Sequence, residues 1–536
     1  MQNHKNPCRL KLCRWLDEIL GLGSMVRVKS ASASKITAAS NTDNIAEIKD
    51  THTSELVIAL CGPIGSPIQD VAKAFKECLE KSFGYDYAEI LKLSRQIEKL
   101  SGSAPAGNEY TRIKYLIDKG DELRERYGAG VLAELAVSEI ALDRQKHKKK
   151  DGLETFEPRR VCHIIDSIKN QQELDLLRLV YRDMVYVVGV YAPQSRRTKA
   201  LEQKGMSLQQ IYTLIDRDSG EEFAHGQTVR DTFPNADFFL RIDSNSGSQV
   251  KARVERFLNL ILGVKVMTPT YSETAMYAAA SAAGNSACLS RQVGAAITDT
   301  QGDVIATGWN DVPKFGGGLY AADPNGDPKS DHDLRCWNKG GKCYNDDEKH
   351  LIAEMLVNEL VGAKTIVEAD KEKAKNAILA NGKLKNLIEF SRSVHAEMHA
   401  IINAGKNGVA LGGSKLFVTT YPCHSCARHI VAAGISEVYF IEPYRKSLAT
   451  KLHDDAITED ESDMKKVRVL PYDGVAPARY LKLFRVPPDS RKSKGVLLAI
   501  DPRHSQPRFD KTVEALPTLE AVVVKRLREK NLIEAG

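Results

Sequence analysis

Apolar residues fall along this chain in two textures: short unbroken runs, and stretches where they return every third or fourth position. The first reads as strands buried on both faces, the second as helices with one face covered. From Leu56 to Leu240 the two alternate. Strands are predicted at Leu56–Leu60, Arg160–Asp166, Met184–Tyr191 and up to Leu240, and helices follow Ile68, Val71, Phe75 and Leu79, and again Glu173–Arg178. Such alternation predicts a parallel α/β sheet. The charged stretch between Tyr85 and Lys150 reads as helical, with the basic run Lys146–Lys150 a solvated helix end. Val250–Leu262 is an amphipathic helix that would bridge to a second region.

That region opens with an Ala-rich helix over Pro269–Ala287. A hairpin follows, Val293–Ile297 and Val304–Thr307 around Thr300-Gln301-Gly302. Later strands are expected at Lys415–Thr420 and Glu437–Ile441. Helices are expected after a Ser393 cap, through Val394, Met398, Ile401 and Ile402, and from His424 to a stop at Gly434. Between Asn310 and His395 lies a long insertion, Gly/Asp-rich at Gly316–Lys342 and helical after Asp346; long segments of this kind are often functional. Val467–Phe484 reads as a last strand and turn of the same domain, and the chain from Pro487 as a polar tail with one helix, Leu516–Leu532. At the other end, Arg9–Leu22 offers a short amphipathic helix and Ser30–Thr53 a flexible lead-in, with Met25 an alternative start. The expected organisation is a flexible segment 1–53, an α/β domain 54–248, a second domain 249–486 with insertion 311–392, and a tail 487–536.

Composition narrows the class. A chain of 536 residues exceeds one ordinary core, so two or three domains are expected. No apolar run reaches membrane length and no secretory h-region follows the charged start, which points to a soluble, cytoplasmic protein. Ten cysteines in so long a chain are not a disulfide framework and suit a reducing compartment. A net charge of +6 permits anionic nucleotides as ligands but is too mild for a nucleic-acid footprint.

Two stretches carry candidate chemistry. The first is the glycine turn Cys61-Gly62-Pro63-Ile64-Gly65-Ser66-Pro67 between a strand and a helix, the arrangement in which backbone N–H groups cradle phosphate. Against G-x-x-x-x-G-K-[ST], the last three positions hold Pro67, Ile68 and Gln69, so the phosphate lysine and the magnesium hydroxyl are missing. Pro67 also removes an N–H from the cradle. Gly62, Gly65 and Ser66 are the candidate nucleotide-binding residues; a degraded binding loop and a purely structural turn both remain open. Asp166 ends the next strand as a Walker B acid would, and Arg196 and Arg197 resemble the lid arginines of nucleotide kinases. Asp216-Arg217-Asp218-Ser219 then leads to His225-Gly226-Gln227.

The second is His395-Ala396-Glu397, answered by Pro422-Cys423-His424-Ser425-Cys426. One imidazole and two thiolates make a three-ligand zinc site with a fourth position open for water, whose pKa the metal lowers. Glu397 then serves as the proton carrier. The pattern is the H-x-E and P-C-x-x-C signature of zinc deaminases. A structural zinc knuckle, or two unrelated core cysteines beside a helix histidine, is the bland alternative; H-x-E at this distance, with Pro422 immediately before Cys423, argues against both.

Residues from about Val266 to Tyr444 resemble the deoxycytidylate deaminase branch of the cytidine deaminase superfamily. The resemblance rests on Arg291-Gln292-Val293-Gly294-Ala295-Ala296-Ile297, on Gly302 to Pro313, and on the two zinc motifs. With a P-loop-kinase-like first half, the chain resembles the bacterial antiphage deoxycytidylate deaminases of the AvcD type. The resemblance implies a P-loop kinase-like domain followed by a cytidine-deaminase-like α/β/α domain, Zn²⁺ as cofactor and deoxycytidine nucleotides as substrates. It further implies a nucleotide effector at the N-terminal domain, a homo-oligomer, and a restraining RNA or protein partner that no residue pattern identifies. Asn310 is the family's sugar-contact position, with a turn-forming Asn the alternative. Tyr444, just past the Glu437–Ile441 strand, is a candidate to stack on the base and Arg445 or Lys446 to meet phosphate; ordinary strand-end residues are the other reading. Cys288, Cys336, Cys343 and His399, with His332 and His350 nearby, are candidates for a second zinc; free cysteines are the other reading. His399 stands where the family usually has Asn.

The leading expectation is hydrolytic deamination of dCMP or dCTP, depleting the deoxycytidine nucleotide pool in antiphage defence. Editing of cytosine in single-stranded DNA or RNA is the alternative, and would ask for a basic, aromatic-studded channel. A signalling protein with a dead deaminase is the third reading, and the intact His395, Glu397, Cys423 and Cys426 weigh against it.

Overall fold

A computed structural model describes residues 52–533 except 103–105, 147–157, 220–226, 244–246, 323–332, 382–383, 385–386, 444–446, 487–489 and 509–515. The expected helix Arg9–Leu22, the lead-in as far as residue 51, both start methionines, the basic run from residue 147, His225, His332, Tyr444, Arg445 and Lys446 lie outside the described residues.

Two six-stranded sheets dominate the described residues, beside a two-stranded hairpin at Lys492–Ser493 and Val496–Leu497. In the first, β1 (Leu56–Cys61), β2 (Tyr87–Lys92), β3 (Val161–Asp166), β4 (Val185–Tyr191) and β5 (Phe238–Arg241) run parallel in the order β5-β4-β1-β3-β2. Every residue of β1 is buried, as an unbroken apolar run at the centre of a parallel sheet requires. Leu56, Ile58 and Leu60 pack against helices Ile68–Ser82 and Gly247–Leu262; Val57, Ala59 and Cys61 face helices Val131–Gln145 and Gln171–Tyr181.

One strand escapes the hydrophobic pattern. The stretch after Tyr85 is not helical throughout: Tyr87–Lys92 is the edge strand β2, and the helices Leu93–Ser101, Glu109–Tyr127 and Val131–Gln145 come after it. Only Ala88 and Leu91 of β2 are buried, so Glu89 and Lys92 hide it from a search for apolar runs.

In the second sheet the order is β10-β11-β9-β8-β6-β7, with β6 (Gly294–Thr298), β7 (Val304–Trp309), β8 (Lys415–Thr420), β9 (Glu437–Glu442), β10 (Ile457–Thr458) and β11 (Val467–Pro471). β6 is antiparallel to β7 and β8, and the remaining pairs are parallel. The expected hairpin forms because Asp299 Oδ1 accepts from the N–H groups of Gln301, Gly302 and Asp303 at 2.9, 2.8 and 3.0 Å. Helix Tyr271–Ala283 covers one face, with helices Ala396–Lys406 and His424–Ala432 on the other. Insertion helices Tyr344–Gly362 and Lys371–Ala380 pack on one another.

The sheets are not built from consecutive blocks of chain. After β11, the segment expected to finish the second domain steps across: β12 (Gly474–Val475) pairs antiparallel with Phe239 and Phe238 of β5. Glu273 fixes this step. It closes a capping box with Thr270, accepts from the Val475 N–H at 2.9 Å, and takes both Arg256 Nη groups at 2.9 and 2.7 Å.

Nor is the C-terminal segment a polar tail. Helix Leu516–Glu529 packs against Val131–Gln145 and buries Leu516, Val523 and Leu527, a narrow apolar stripe amid charged residues. Beneath it Arg144 reaches Glu55 at 2.6 Å and grips Glu520 through Nε and Nη2 at 3.1 and 3.2 Å, all three side chains buried. Arg144→Ala takes the guanidinium from buried Glu520 and leaves Glu55 to Arg159, and is expected to cost about 3–5 kcal/mol, read as a lower urea midpoint at unchanged slope. Among the described residues no helix is long and apolar enough to cross a membrane.

Candidate active site

Two helix starts meet on the second sheet. β8 delivers the chain to Pro422, and Cys423 becomes the N-cap of helix His424–Ala432, its Sγ accepting the Cys426 N–H at 3.4 Å. Opposite, His395 is the N-cap of helix Ala396–Lys406, so the helix starts two residues later than a Ser393 cap would begin it. Close approach of strand to helix sets this position. A Cβ on Gly308 of β7 would stand 2.3 Å from the Ala400 nitrogen, so only glycine lets the helix backbone seat there.

The result brings together what the sequence kept apart. His395 Nδ1 lies 3.3 Å from both Cys423 Sγ and Cys426 Sγ. Among the described residues these three are the one group of His, Cys or acid donors gathered closely enough to hold a metal ion. Hydrogen bonding by the Cys426 thiol draws Cys423 down to about 4 against the opposing effect of burial. The same contact pushes Cys426 well up, and the Cys423 bond pushes His395 up to about 9. A thiolate, a thiol and an imidazolium thus share protons that a bound dication displaces, because its ligands bind deprotonated. One nitrogen and two sulfurs with room for a fourth ligand fit Zn²⁺. Glu397, in the first turn beside them, is buried; burial raises its pKa, and the Cys423 charge adds to the effect.

This cluster floors a cavity of about 230 Å³ walled by Arg291, Val293, Asn310, Asn345, Ile388 and Tyr421 among others. Residues 269–442 match the family model for the cytidine and deoxycytidylate deaminase zinc-binding region. The deoxycytidylate deaminase of Enterobacteria phage T2 is 30% identical over 166 residues, covering 30% of this chain and 74% of the phage protein. The chain belongs to the deoxycytidylate deaminase family. It is a hydrolytic deaminase, and Zn²⁺ is its cofactor. ComE operon protein 2 of Bacillus subtilis is 46% identical over 55 residues, 10% of this chain and only 29% of that protein. A solved dCMP deaminase of cyanophage S-TIM5, in complex with dCMP and dUMP, is 21% identical, with 38% of this chain and 99% of that chain covered at a TM-score of 0.22.

Other candidate residues meet different fates in this deaminase. Asn310 lines the cavity with its amide engaged: Oδ1 accepts from the Val293 N–H at 2.7 Å and Nδ2 donates to the Arg291 carbonyl at 2.9 Å. It therefore braces the segment that leads from Arg291 into β6. His399 does not join a second metal set. Its Nδ1 accepts from the Trp309 N–H at 3.2 Å, its Nε2 faces Asn403 at 3.1 Å, and burial lowers its pKa. Cys288 lines the cavity and Cys336 and Cys343 lie close enough to influence one another's charge, yet their donor atoms do not converge as the zinc trio's do. Cys343 instead meets Ser290 Oγ at 3.6 Å and Cys336 meets Arg392 at 3.9 Å. His350 is exposed on the insertion helix.

At the glycine turn, Gly65 takes a φ of +82° and lies against the Arg197 backbone, while Ser66 Oγ is buried with no hydrogen-bond partner among the described residues. The Ile64 N–H is held by Asp218 Oδ2 at 2.7 Å, and Lys169 Nζ bridges Gly62 O and Asp218 Oδ1, both at 2.8 Å.

Several wall residues had no role in the sequence-based reading. Arg291 stands in a motif quoted only for its resemblance, and its half-exposed guanidinium, 3.3 Å from Glu442, is the one Arg or Lys side chain lining the cavity among the described residues. Tyr421 was legible only as the residue before Pro422. Asn345 and Ile388 come from the insertion, where no pattern marks them.

Proposed function

We propose that this deaminase hydrolyses deoxycytidine nucleotides, dCMP or dCTP, to the deoxyuridine nucleotides. The observation that carries the reading is a cavity with the metal ligands and a buried carboxyl at its floor and a single guanidinium, Arg291, in its wall. When bound, the zinc ion supplies an activated water at that floor. Glu397 does the proton work: it takes a proton from the water, hands it to N3 of the ring, and passes a second to the departing amine. Its raised pKa suits a group that must both accept and donate near neutrality. Water oxygen stays on C4 and ammonia leaves. Asn310 keeps the sugar-contact role that the resemblance implies, through the faces of its amide that the backbone leaves over.

Arg291 is read as the phosphate contact. Arg291→Ala is expected to raise KM for dCMP by about tenfold, the low end for a charged hydrogen bond because the site is half exposed, with deoxycytidine turnover unchanged. Steady-state kinetics on both substrates check it.

Beyond the chemistry, we read residues 54–248 as a kinase-like domain with a degraded phosphate loop at Gly62, Gly65 and Ser66, regulating a deaminase domain over 249–486. In a cell under phage attack the activity would drain the deoxycytidine nucleotide pool. The parallel sheet and the glycine turn support this pairing, and homo-oligomers and a restraining partner fit it. Ammonia release from purified protein offered dCMP, dCTP, CMP, cytidine and single-stranded DNA tests the substrate. Turnover of dCMP or dCTP alone is expected; turnover of DNA alone would overturn the reading in favour of an editing enzyme.

A further inference from the structure

The catalytic cavity has one wall that the zinc motifs do not supply. Asn345, in the first turn of helix Tyr344–Gly362, and Ile388 bring the insertion to its side. This wall is held in place. Arg335 of the insertion reaches buried Asp311, just past β7, at 3.7 Å, and the Arg392 guanidinium lies over the Tyr344 ring, 5.1 Å from its centroid.

The Asn345 amide is fixed but half used. Its Nδ2 donates to the Leu387 carbonyl at 2.9 Å, which sets the orientation of the group. Its Oδ1 is buried and has no hydrogen-bond partner among the described residues. A buried acceptor left unpaired is costly, so a ligand that brings a donor gains by meeting it. Asn310, by contrast, has both ends of its amide tied to the backbone.

Deoxycytidine nucleotides bring two kinds of donor, the exocyclic amine and the 3′-hydroxyl. The amine is the group expelled, so it belongs at the floor with Glu397 and the metal ligands. Phosphate oxygens are themselves acceptors and have nothing to offer Oδ1. The hydroxyl remains, and the placement suits it. Cys343, two residues before Asn345, meets Ser290 Oγ at 3.6 Å, and Ser290 adjoins Arg291. Asn345 thus stands on the side of the cavity where Arg291 is read as the phosphate contact, and the sugar joins that phosphate to the base.

We infer that Asn345 Oδ1 accepts from the 3′-hydroxyl of the deoxyribose and so sets which cytosines are taken. Inside a strand that oxygen is esterified and carries no proton, so the contact favours free nucleotides over a cytosine within DNA. The inference rests on the deaminase reading, and its test keeps the two apart. Calorimetry on the zinc-loaded full chain carrying Glu397→Gln, which spares the ligand, compares dCMP, dideoxycytidine monophosphate and deoxycytidine 3′,5′-bisphosphate. Removing or esterifying the hydroxyl is expected to weaken binding about tenfold or more. With Asn345→Leu or Asn345→Ala added and zinc content unchanged, dCMP should fall to the level of the dideoxy nucleotide, and loss of the hydroxyl should then cost nothing further. Equal affinity for dCMP and the dideoxy nucleotide before substitution would overturn the contact. So would a preference for the hydroxyl that survives both substitutions, an equal loss on both ligands, or binding of neither. Kinetics of the wild type separate the readings. Binding as expected without deamination would refute the deaminase and leave the contact standing, whereas dCMP and the dideoxy nucleotide deaminated at the same kcat/KM would refute the contact and leave the deaminase.

Discussion

Glu397→Gln is expected to lower kcat for dCMP by about 10²–10⁴-fold while zinc stays bound in one-to-one amount. The carboxyl is not a ligand in the His395, Cys423 and Cys426 set, so the metal does not depend on it. It is also buried, with its pKa raised by that burial, and the neutral isostere fills the same space at no loss of packing. The loss should therefore fall on proton transfer alone. Steady-state kinetics beside metal analysis checks this. A variant that kept its rate would remove Glu397 from the chemistry, and one that lost zinc would make it a structural residue.

Removing the metal should be more severe. Chelation is expected to abolish deamination beyond detection and to lower the melting temperature, with both restored by added Zn²⁺. Cys423→Ser should behave like the chelated protein and resist rescue. The reason lies in the trio without its ion: His395 and Cys426 hold protons, the charges of Cys423 and His395 remain buried, and nothing activates a water. Metal analysis with thermal scans, with and without chelator, separates this from simple misfolding. A chelated protein that still turned over dCMP would end the zinc reading.

How legible was this in the sequence? The His395, Cys423 and Cys426 cluster was readable because metal chemistry fixes both residue type and local spacing, and because Cys423 and His395 each open a helix. Central strands such as β1 and β8 were readable for a similar reason, since burial on both faces leaves an unbroken apolar run. What stayed hidden were features made by neighbours far away in the chain. β2 carries Glu89 and Lys92 because an edge needs little cover. His399 has the right atoms for a metal but spends them on Trp309 and Asn403. Tyr421, Asn345 and Arg291 come from separate segments that only the fold gathers around one cavity. The crossing at Val475 has no local signature, because its cause is Glu273, about 200 residues earlier.

That crossing, with the C-terminal helix, has a consequence for how the molecule is made. During synthesis the first sheet emerges with β1 to β5 in hand but without β12 against β5 and without the helix that seals Val131–Gln145. Glu55 and Arg144 wait for Glu520 over roughly 370 residues of further translation, on the order of 20–80 s at common ribosome speeds. Through that interval an apolar groove on the nascent first half stands open, and chaperone contact is to be expected there. The first half is thus completed last although it is begun first, after the zinc ligands have already been made.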